Sequence, residues 1–177
     1  MNNFARAILL VLVWFATQTL GADGNELSAR QSIRINAAPE TVWAVVGNFN
    51  GTPRWLPLVV KSEIVLGTNN RVGAIRLVTR RNGTKVTERL LDRDPHDMHM
   101  AYTYVDGAVM ATDYSPVLSV KDAGDGTSIV EWSAHFKPLA YSNEATSAQD
   151  ERALTDFFDG VYKTGLDNLK RVVESGE

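Results

Sequence analysis

The chain of 177 residues is 44% hydrophobic and 22% charged, and its 18 Lys and Arg against 21 Asp and Glu give a net charge of −3. The length and composition predict one ordinary globular domain. The near balance of charge excludes the basic surface on which nucleic-acid binding depends, so no nucleic-acid partner is expected. The absence of cysteine excludes disulfides, zinc–thiolate sites and cysteine nucleophiles.

The first 22 residues have the layout of a secretory signal peptide. A short polar stretch with one charge, Arg6, precedes an apolar run at 7–16, and small residues follow. Because a transmembrane helix needs about 20 apolar residues, we expect cleavage after Gly21 or Ala22, no stable transmembrane segment afterwards, and a periplasmic location. A retained amphipathic anchor is the alternative. The mature chain, 23–177, is then a single domain with a net charge of −4.

The mature chain begins with a strand and a short helix. Alternating polarity over 29–36 predicts the first strand. A proline and an acid at 39–40 are typical of a helix start, and the helix should end at Gly47. The breaker-rich stretch 48–57 predicts a tight turn and at most one further short helix, around 54–56.

Six more strands are predicted before residue 138, joined by short segments rich in turn-forming residues. Joints this short place neighbouring strands antiparallel. In the last strand, alternation turns Trp132 inward and His135 outward. Pro116, which cannot donate to a ladder, predicts a bulge in the strand before it. The predicted strands are 59–66, 74–80, 84–93, 98–105, 110–120 and 127–136.

The C-terminal part is predicted to form a long amphipathic helix over 147–174, because apolar residues recur there at a spacing of three and four. Gly165 lies on the apolar face and has two interpretations, close packing against the sheet or room for a ligand; we favour packing. The predicted fold class is therefore α+β. A curved antiparallel sheet of about seven strands surrounds one long C-terminal helix, with one or two short helices after the first strand.

Six short motifs, taken in order, resemble one known superfamily. They are Ala38-Pro39-Glu40-Thr41-Val42-Trp43, Trp55-Leu56-Pro57, Val72-Gly73-Ala74-Ile75-Arg76, Glu88-Arg89-Leu90-Leu91-Asp92, Asp113-Tyr114 and Glu131-Trp132. With them, the mature chain resembles the helix-grip superfamily of Bet v 1-like and START-related (SRPBCC) proteins, in its polyketide cyclase/dehydrase-like branch. The resemblance implies a deep cavity between sheet and helix. Different members use that cavity to carry, sense or convert apolar ligands, and the fold does not choose among these functions.

A narrower resemblance rests on size, leader and general pattern. In these respects the chain is similar to the small periplasmic accessory proteins of bacterial methanol oxidation. That similarity implies a periplasmic dehydrogenase or its cytochrome as a partner. The sequence has no glycine-rich phosphate loop after a strand, and we expect no bound cofactor.

Arg76 and Glu88 are the candidate catalytic residues. Glu88 shares a strand face with Val86 and Leu90, an unusual place for an acid. The two positions match the arginine and glutamate that similar cavity enzymes, such as the plant sulfenic-acid isomerising synthase, use for catalysis. Glu88 would act as a general base beside an anion-stabilising Arg76. The alternative is a cross-strand ion pair that only holds the sheet together.

The turn between their two strands decides whether these side chains meet. A two-residue turn on Asn82 and Gly83 would place Arg76 and Glu88 on opposite faces. A three-residue loop, 81–83, with Gly83 in the left-handed bulge position, would place Arg76 directly opposite Glu88. We expect the second register, because a buried carboxylate and a buried guanidinium make sense mainly as partners.

Apolar and phenolic side chains are predicted to line a ligand cavity, with tyrosine hydroxyls available for hydrogen bonds. The alternative is an ordinary core. His96 and His99 are spaced so that their rings lie on opposite strand faces, and no metal site is expected. The predicted lining residues are Met100, Tyr102, Tyr104, Tyr114, Trp132, Phe136, Phe158 and Tyr162.

Three functions remain open from the sequence. The first, favoured by the absence of thiols, metal clusters and nucleotide motifs, is an exported protein that binds a small or apolar ligand or assists a partner enzyme, without turnover of its own. The second is an isomerase, cyclase or dehydratase acting through Arg76 and Glu88, so whether the protein is an enzyme is left undecided. The third is carriage of lipids or other apolar ligands.

Overall fold

The structure, a computed structural model of the chain, describes residues 26–139 and 148–176. The predicted signal peptide and the predicted first residue of the long helix, 147, lie outside these ranges. Within the two described ranges, no helix combines the length and the apolar character needed to cross a membrane.

Two short helices follow the first strand. The elements are β1 (Leu27–Ile35), α1 (Pro39–Val46) and a 3₁₀ helix (Phe49–Arg54). α1 ends at Gly47, as predicted. The predicted position of the second helix, around 54–56, is wrong, because the 3₁₀ helix begins earlier. The Asn48 side chain accepts a hydrogen bond from the backbone N–H of Asn50 (3.2 Å) and so caps the first turn there.

Seven antiparallel strands form one sheet in the order β1-β7-β6-β5-β4-β3-β2. Strands β2 to β7 neighbour one another in chain order, because their joints are too short for a crossover. β1 adds to the sheet beside β7, and α2 packs mainly on β1 and β7. The α+β helix-grip class is confirmed. The remaining elements are β2 (Val59–Leu66), β3 (Ile75–Arg80), β4 (Lys85–Asp94), β5 (His99–Gly107), β6 (Ala111–Gly124), β7 (Thr127–Pro138) and α2 (Ala148–Ser175).

The β3–β4 hairpin has the predicted register. The backbone N–H of Arg80 closes a three-residue loop, 81–83, and Gly83 has the left-handed φ of 84°. Arg76 therefore lies directly opposite Glu88. Both residues face the interior and are buried, with 4% and 8% of their surface exposed.

Strand β6 departs from regular pairing near Pro116. The bulge lies between Thr112 and Ser115, in the pairing with β7, and Asp113 within it has φ 52°. The prediction of a bulge at Pro116 is therefore wrong by a few residues. The missing N–H of Pro116 instead interrupts the pairing of β6 with β5, because that ladder ends at Val117.

Gly165 brings α2 close to the sheet. A Cβ atom at this position would lie 2.8 Å from Leu56, 3.1 Å from Trp132 and 3.3 Å from Trp55. Close packing is therefore the confirmed interpretation of Gly165. Gly160 lies on a different face of α2, and a Cβ atom there would meet nothing within 4 Å.

Candidate functional site

A cavity of about 50 Å³ lies between the inner face of the sheet, the 3₁₀ helix and α2. Because about 10–15 Å³ of such space holds one water molecule, this cavity holds a few waters or a ligand of a few heavy atoms. Both members of the Arg–Glu pair line it, together with most of the predicted lining residues. The predicted residues found on its wall are Arg76, Glu88, Met100, Tyr102, Tyr104, Tyr114, Trp132 and Phe158.

Phe136 and Tyr162 are not among the residues that line the cavity, which corrects the prediction for these two positions. Both side chains are fully buried. Phe136 packs on Phe158 with ring centroids 4.5 Å apart, and Tyr162 stacks on Trp132 at 4.3 Å. The two residues therefore support the wall from behind, since Phe158 and Trp132 take the positions next to the cavity.

Arg76 is held from several sides. Its Nε and Nη2 both donate to Oε2 of Glu88, at 2.7 and 2.6 Å. Its Nη1 donates to the Phe49 carbonyl and, at 2.5 Å, to the Thr52 hydroxyl. The guanidinium also lies 4.2 Å from the ring centroid of Phe49 and 5.1 Å from that of Tyr102, within cation–π range. The protein therefore neutralises this charge and uses most of its donors.

Glu88 keeps one carboxylate oxygen available. Both bonds from Arg76 go to Oε2, and no other described residue donates to Oε1. Since Glu88 lines the cavity, its free oxygen can accept a hydrogen bond or a proton from a molecule bound there. The geometry therefore gives Arg76 a positioning role and leaves the chemistry to Glu88.

An asparagine cluster, made of Asn48, Asn50, Asn69 and Asn70, fixes the 3₁₀ helix beside Arg76. The backbone N–H of Asn50 donates to Asn69 Oδ1 (3.1 Å), and Asn69 Nδ2 donates to Asn48 Oδ1 (2.8 Å). Asn70 Oδ1 accepts from the backbone N–H of Phe49, one residue before Asn50, at 2.8 Å. The loop between β2 and β3 thereby holds the acceptors of the guanidinium in place.

The sequence did not predict several site residues, among them Phe49, Thr52 and Trp55. Phe49 and Thr52 accept hydrogen bonds from Arg76, and Thr52 and Trp55 line the cavity. A usable indication was present in the sequence, because a guanidinium carries five N–H donors and one carboxylate cannot accept all of them. The identity of the further acceptors depends on where the breaker-rich turn folds, which no periodicity indicates.

Four buried tyrosines surround or support the cavity. Burial raises the pKa of Tyr102, Tyr104, Tyr114 and Tyr162 above the ordinary value for a phenol, and the charge of Glu88 adds to the shift at Tyr102 and Tyr104. The Tyr114 and Tyr162 hydroxyls share a hydrogen bond of 2.9 Å. All four phenols therefore stay neutral at neutral pH.

The indole rings of Trp55 and Trp132 form part of the wall and meet edge to face, with centroids 5.3 Å apart. Neither indole nitrogen has a hydrogen-bond partner among the described residues. The Trp132 N–H lies near enough to the Tyr102 hydroxyl to oppose the larger effect of burial on the pKa of Tyr102. An unpaired buried donor costs about 1–3 kcal/mol, and Trp55 and Trp132 each carry one.

The three histidines lie away from the cavity. His96 is exposed on the turn before β5 and pairs with Asp97 at 2.9 Å, and His99 pairs with Asp92 at 2.7 Å. His135 points outward from β7, as predicted. Within residues 26–139 and 148–176, no cluster of three or more His, Asp or Glu residues could hold a metal ion.

Known proteins share this architecture. The protein XoxI from Bacillus cereus is 28% identical, with a TM-score of 0.71 over 82% of this chain and 94% of that one. A protein from Thermobifida fusca is 29% identical, with a TM-score of 0.70 over 82% and 92% of the two chains. The ZhuI aromatase/cyclase from Streptomyces sp. R1128 has a TM-score of 0.73 over 85% and 94%, and at 15% identity this likeness concerns the fold alone.

Residues 26–174 match the family described as polyketide cyclase / dehydrase and lipid transport. The match runs from the start of β1 almost to the end of α2, and so includes every element that contributes to the cavity. The predicted membership of the polyketide cyclase/dehydrase-like branch is confirmed. This chain, a cavity-containing protein of the binding or cyclase type, belongs to the polyketide cyclase/dehydrase and lipid transport family.

Proposed function

We propose that this protein is exported to the periplasm, where it binds a small, uncharged and largely apolar molecule and assists a partner enzyme. The observation that carries the proposal is the buried Arg76–Glu88 ion pair on the wall of an otherwise aromatic cavity. The pair is neutral as a unit, so a charged ligand would be buried there without a counter-ion. An uncharged ligand avoids that penalty.

The polar atoms of the wall define what the ligand must carry. Oε1 of Glu88 lacks a donor, and the indole nitrogens of Trp55 and Trp132 lack acceptors, within the described part of the chain. A ligand with an apolar body and one small polar group, such as a hydroxyl or a carbonyl, complements these atoms and leaves the remaining surface to aromatic contacts.

The state of Arg76 favours binding over turnover. In the catalytic hypothesis Arg76 stabilises an anion that develops on the substrate. In the structure its guanidinium already donates to Glu88, Phe49 and Thr52, and it would have to give up one of these buried partners to serve a substrate. Holding a ligand beside Glu88 requires no such exchange.

The volume of the cavity disfavours carriage of whole lipids. A space of about 50 Å³ is far below the roughly 300 Å³ at which sites for drug-sized ligands begin. An acyl chain would therefore need a large rearrangement of the wall. A compact ligand is the better match to this interior.

The leader pattern supports export, and the similarity to accessory proteins of methanol oxidation supports a periplasmic dehydrogenase or its cytochrome as the partner. Expressed in a Gram-negative host, the chain should appear in the periplasmic fraction about 22 residues shorter by intact mass. In a methanol-oxidising host it should co-purify with haem absorbance or dehydrogenase activity. A cytoplasmic chain of full length would contradict the proposal.

Ligand binding is tested with the neutral fluorescent dye N-phenyl-1-naphthylamine and the mature chain. The dye is larger than the cavity of about 50 Å³, so its binding requires side chains of the wall to move apart. Val161 lines the cavity from α2, whereas Val173 is partly buried on the same helix away from it. We expect saturable binding by the wild-type chain and at least about tenfold weaker binding by Val161→Trp, because the indole fills the space. Val173→Trp is the matched control and should bind like the wild type.

Competition then narrows the ligand class. Small neutral alcohols and ketones should displace the dye at lower concentration than hydrocarbons of the same shape or carboxylates of the same size. Equal dye binding by both tryptophan variants would contradict a ligand-binding cavity. Failure of the wild-type chain to bind both the dye and the compact ketone cyclohexanone, followed by NMR titration, would contradict it as well.

A second candidate function, an isomerase, cyclase or dehydratase, is favoured by one observation: Glu88 keeps a free oxygen at the cavity. A carboxylate placed there could remove a proton from a carbon next to a carbonyl group. Tyr102, whose raised pKa keeps it neutral, could then donate a hydrogen bond to the carbonyl oxygen.

Proton exchange tests this second function without knowledge of the natural substrate. The chain is incubated with cyclohexanone in D₂O, and deuterium uptake is followed by NMR. If the protein is a catalyst of this kind, exchange is accelerated, Glu88→Gln abolishes the acceleration, and dye binding persists. The control is Glu63→Gln, at an exposed acid that pairs with Lys61 on β2. Exchange no faster than in protein-free solvent would leave binding as the function.

A further inference from the structure

The ladder between β5 and β6 stops in the middle of the sheet. Its pairs are 99–101 of β5 with 117–119 of β6. The backbone N–H of Val120 donates to Met98, which sets even-numbered residues of β6 to donate towards β5. The next even position after 118 is Pro116, which has no N–H to donate. The proline therefore ends the pairing while both strands continue.

Beyond this point the two strands follow different partners. Gly107, at the end of β5, pairs with Val86 of β4, whereas Ala111, at the start of β6, pairs with Pro138 of β7. In the described part of the chain one side-chain bond crosses between them, from the Thr103 hydroxyl to the Tyr114 carbonyl (2.8 Å). We call this interruption of the ladder, across which the two strands remain neighbours, the β5–β6 gap.

A groove of about 270 Å³ lies at the β5–β6 gap and is lined by residues of both strands and of their turn. Tyr104 and Tyr114 line this groove, and they also line the internal cavity. Their rings are stacked, with centroids 4.2 Å apart. This ring pair therefore stands between the groove and the cavity, at the place where the sheet has no backbone ladder to close it.

We propose that ligands reach the cavity through the β5–β6 gap, with the Tyr104–Tyr114 ring pair as the gate. This inference rests on the proposed binding function. When the rings turn aside, groove and cavity become one site of about 300 Å³, the lower end of the range for drug-sized ligands. The site then accepts an uncharged molecule considerably larger than the cavity alone could hold.

The gate needs no unfolding of the sheet. Turning the rings aside breaks their mutual contact, the hydrogen bond of Tyr114 with Tyr162 and the stack of Tyr114 on Phe158. Moving the strands apart also breaks the bond from Thr103 to the Tyr114 carbonyl. The backbone bonds of β5 with β4 and of β6 with β7 remain. Arg80, at the end of β3, holds the turn between β5 and β6, because its Nη1 donates to the Ala108 carbonyl at 2.9 Å.

A disulfide across the gap tests the route, and the chain has no cysteine to interfere. Continuing the register from Ala101 and Val117 places Thr103 opposite Ser115. In the double variant Thr103→Cys/Ser115→Cys, with the disulfide verified by mass, stopped-flow fluorescence should show association and dissociation of N-phenyl-1-naphthylamine slowed about tenfold or more. Reduction should restore both rates, with little change in Kd.

The matched control is Ala101→Cys/Val117→Cys, which crosslinks the part of the same two strands that is already paired. Its oxidised and reduced forms should exchange dye at equal rates. Equal rates in the two forms of the gap variant would overturn the route and leave the binding function intact. Absence of dye binding in every variant, including the wild type, would also overturn the route, and failure to bind cyclohexanone as well would contradict the binding function itself.

A single substitution gives an independent check. Thr103→Val removes the bond across the gap at nearly constant shape, and dye exchange should become faster. Thr87→Val is the control, because Thr87 makes a similar bond to the backbone of Asp106 (3.3 Å), on the paired side of β5. Unchanged exchange in Thr103→Val would count against the gate.

Discussion

The two walls of the cavity are built by different means. The polar wall, formed by β3, β4 and the 3₁₀ helix, depends on Arg76, which connects Glu88, Phe49 and Thr52 through directed bonds. The aromatic wall, formed by β5 to β7 and α2, depends on stacked rings such as Tyr114 on Phe158, 4.9 Å apart. One wall concentrates its stability in few contacts and the other spreads it over many.

Because of this difference, the two walls should tolerate different substitutions. A directed bond to a buried charge is lost completely when one partner is removed, and the remaining partner is left without compensation. Ring contacts are individually weak and change gradually with shape. The polar wall should therefore be sensitive to the chemistry of single residues, whereas the aromatic wall should be sensitive to added volume and to ionisation of its phenols.

Alkaline pH should break the aromatic wall, and this is the largest effect we expect. The pKa of Tyr102, Tyr104, Tyr114 and Tyr162 is raised by burial, so their contribution to stability is complete below the unfolded value of about 10 and is lost as the pH rises above it. Each phenol removes about 1.4 kcal/mol per pH unit, so the four together remove about 6 kcal/mol by pH 11.

Thermal unfolding followed by circular dichroism from pH 8 to 11, with phenolate absorbance recorded in parallel, measures this loss. The four phenols should ionise together with unfolding. Ionisation of all four while the native spectrum persists would show that the aromatic wall is open to solvent.

Substitution of Arg76 should break the polar wall. Arg76→Met leaves Glu88 buried without its counter-ion and removes the donor from Phe49 and Thr52, so the free energy of unfolding in urea should fall by about 3–5 kcal/mol. The double variant Arg76→Met/Glu88→Leu should recover much of the loss.

The control for the polar wall is the exposed pair of Lys61 and Glu63, where Lys61→Met should change stability by less than about 1 kcal/mol. If Arg76→Met were no more destabilising than this control, the polar wall would not depend on the buried ion pair.

Two glycine substitutions in α2 test how closely this helix packs on the aromatic wall. Gly165→Ala brings a methyl group within 2.8 Å of Leu56 and 3.1 Å of Trp132, so stability should fall by about 1–3 kcal/mol. Gly160→Ala meets open space and should raise stability by up to about 1 kcal/mol through helix propensity. Equal shifts for the two variants in urea unfolding would show that α2 does not pack closely on this wall.

Local patterns were sufficient for most of the fold. Alternation in β7 places Trp132 inward and His135 outward, and a glycine at 83 with its left-handed φ determines the β3–β4 register. The predicted position of the 3₁₀ helix was wrong. The helix begins where the Asn48 side chain caps its first turn, and the same stretch of sequence contains several other helix-breaking residues at which such a turn could begin. The bulge predicted at Pro116 lies a few residues earlier in β6. Which neighbouring strand is affected by the missing N–H of Pro116 depends on the hydrogen-bond parity of the whole ladder.

The candidate site was also predictable from the sequence only in part. The meeting of Arg76 and Glu88 could be predicted because both residues lie in one hairpin and the turn residues determine their register. The saturation of Arg76 could not, because its other partners come from a segment more than twenty residues away. The sequence pattern correctly places Phe136 and Tyr162 in the interior. Whether they reach the cavity depends on the rings that pack between them and it, which are Phe158 and Trp132.

The sequence by itself determined the α+β class, the antiparallel order of strands, the inward faces and the pairing of Arg76 with Glu88, because these depend on periodicity and on turns of a few residues. Tertiary structure alone decided that Arg76 is committed to the protein, that Glu88 retains a free oxygen, and that a gap closed by two tyrosine rings separates cavity from groove. These features depend on contacts between elements distant in the chain, and no local pattern encodes such distances.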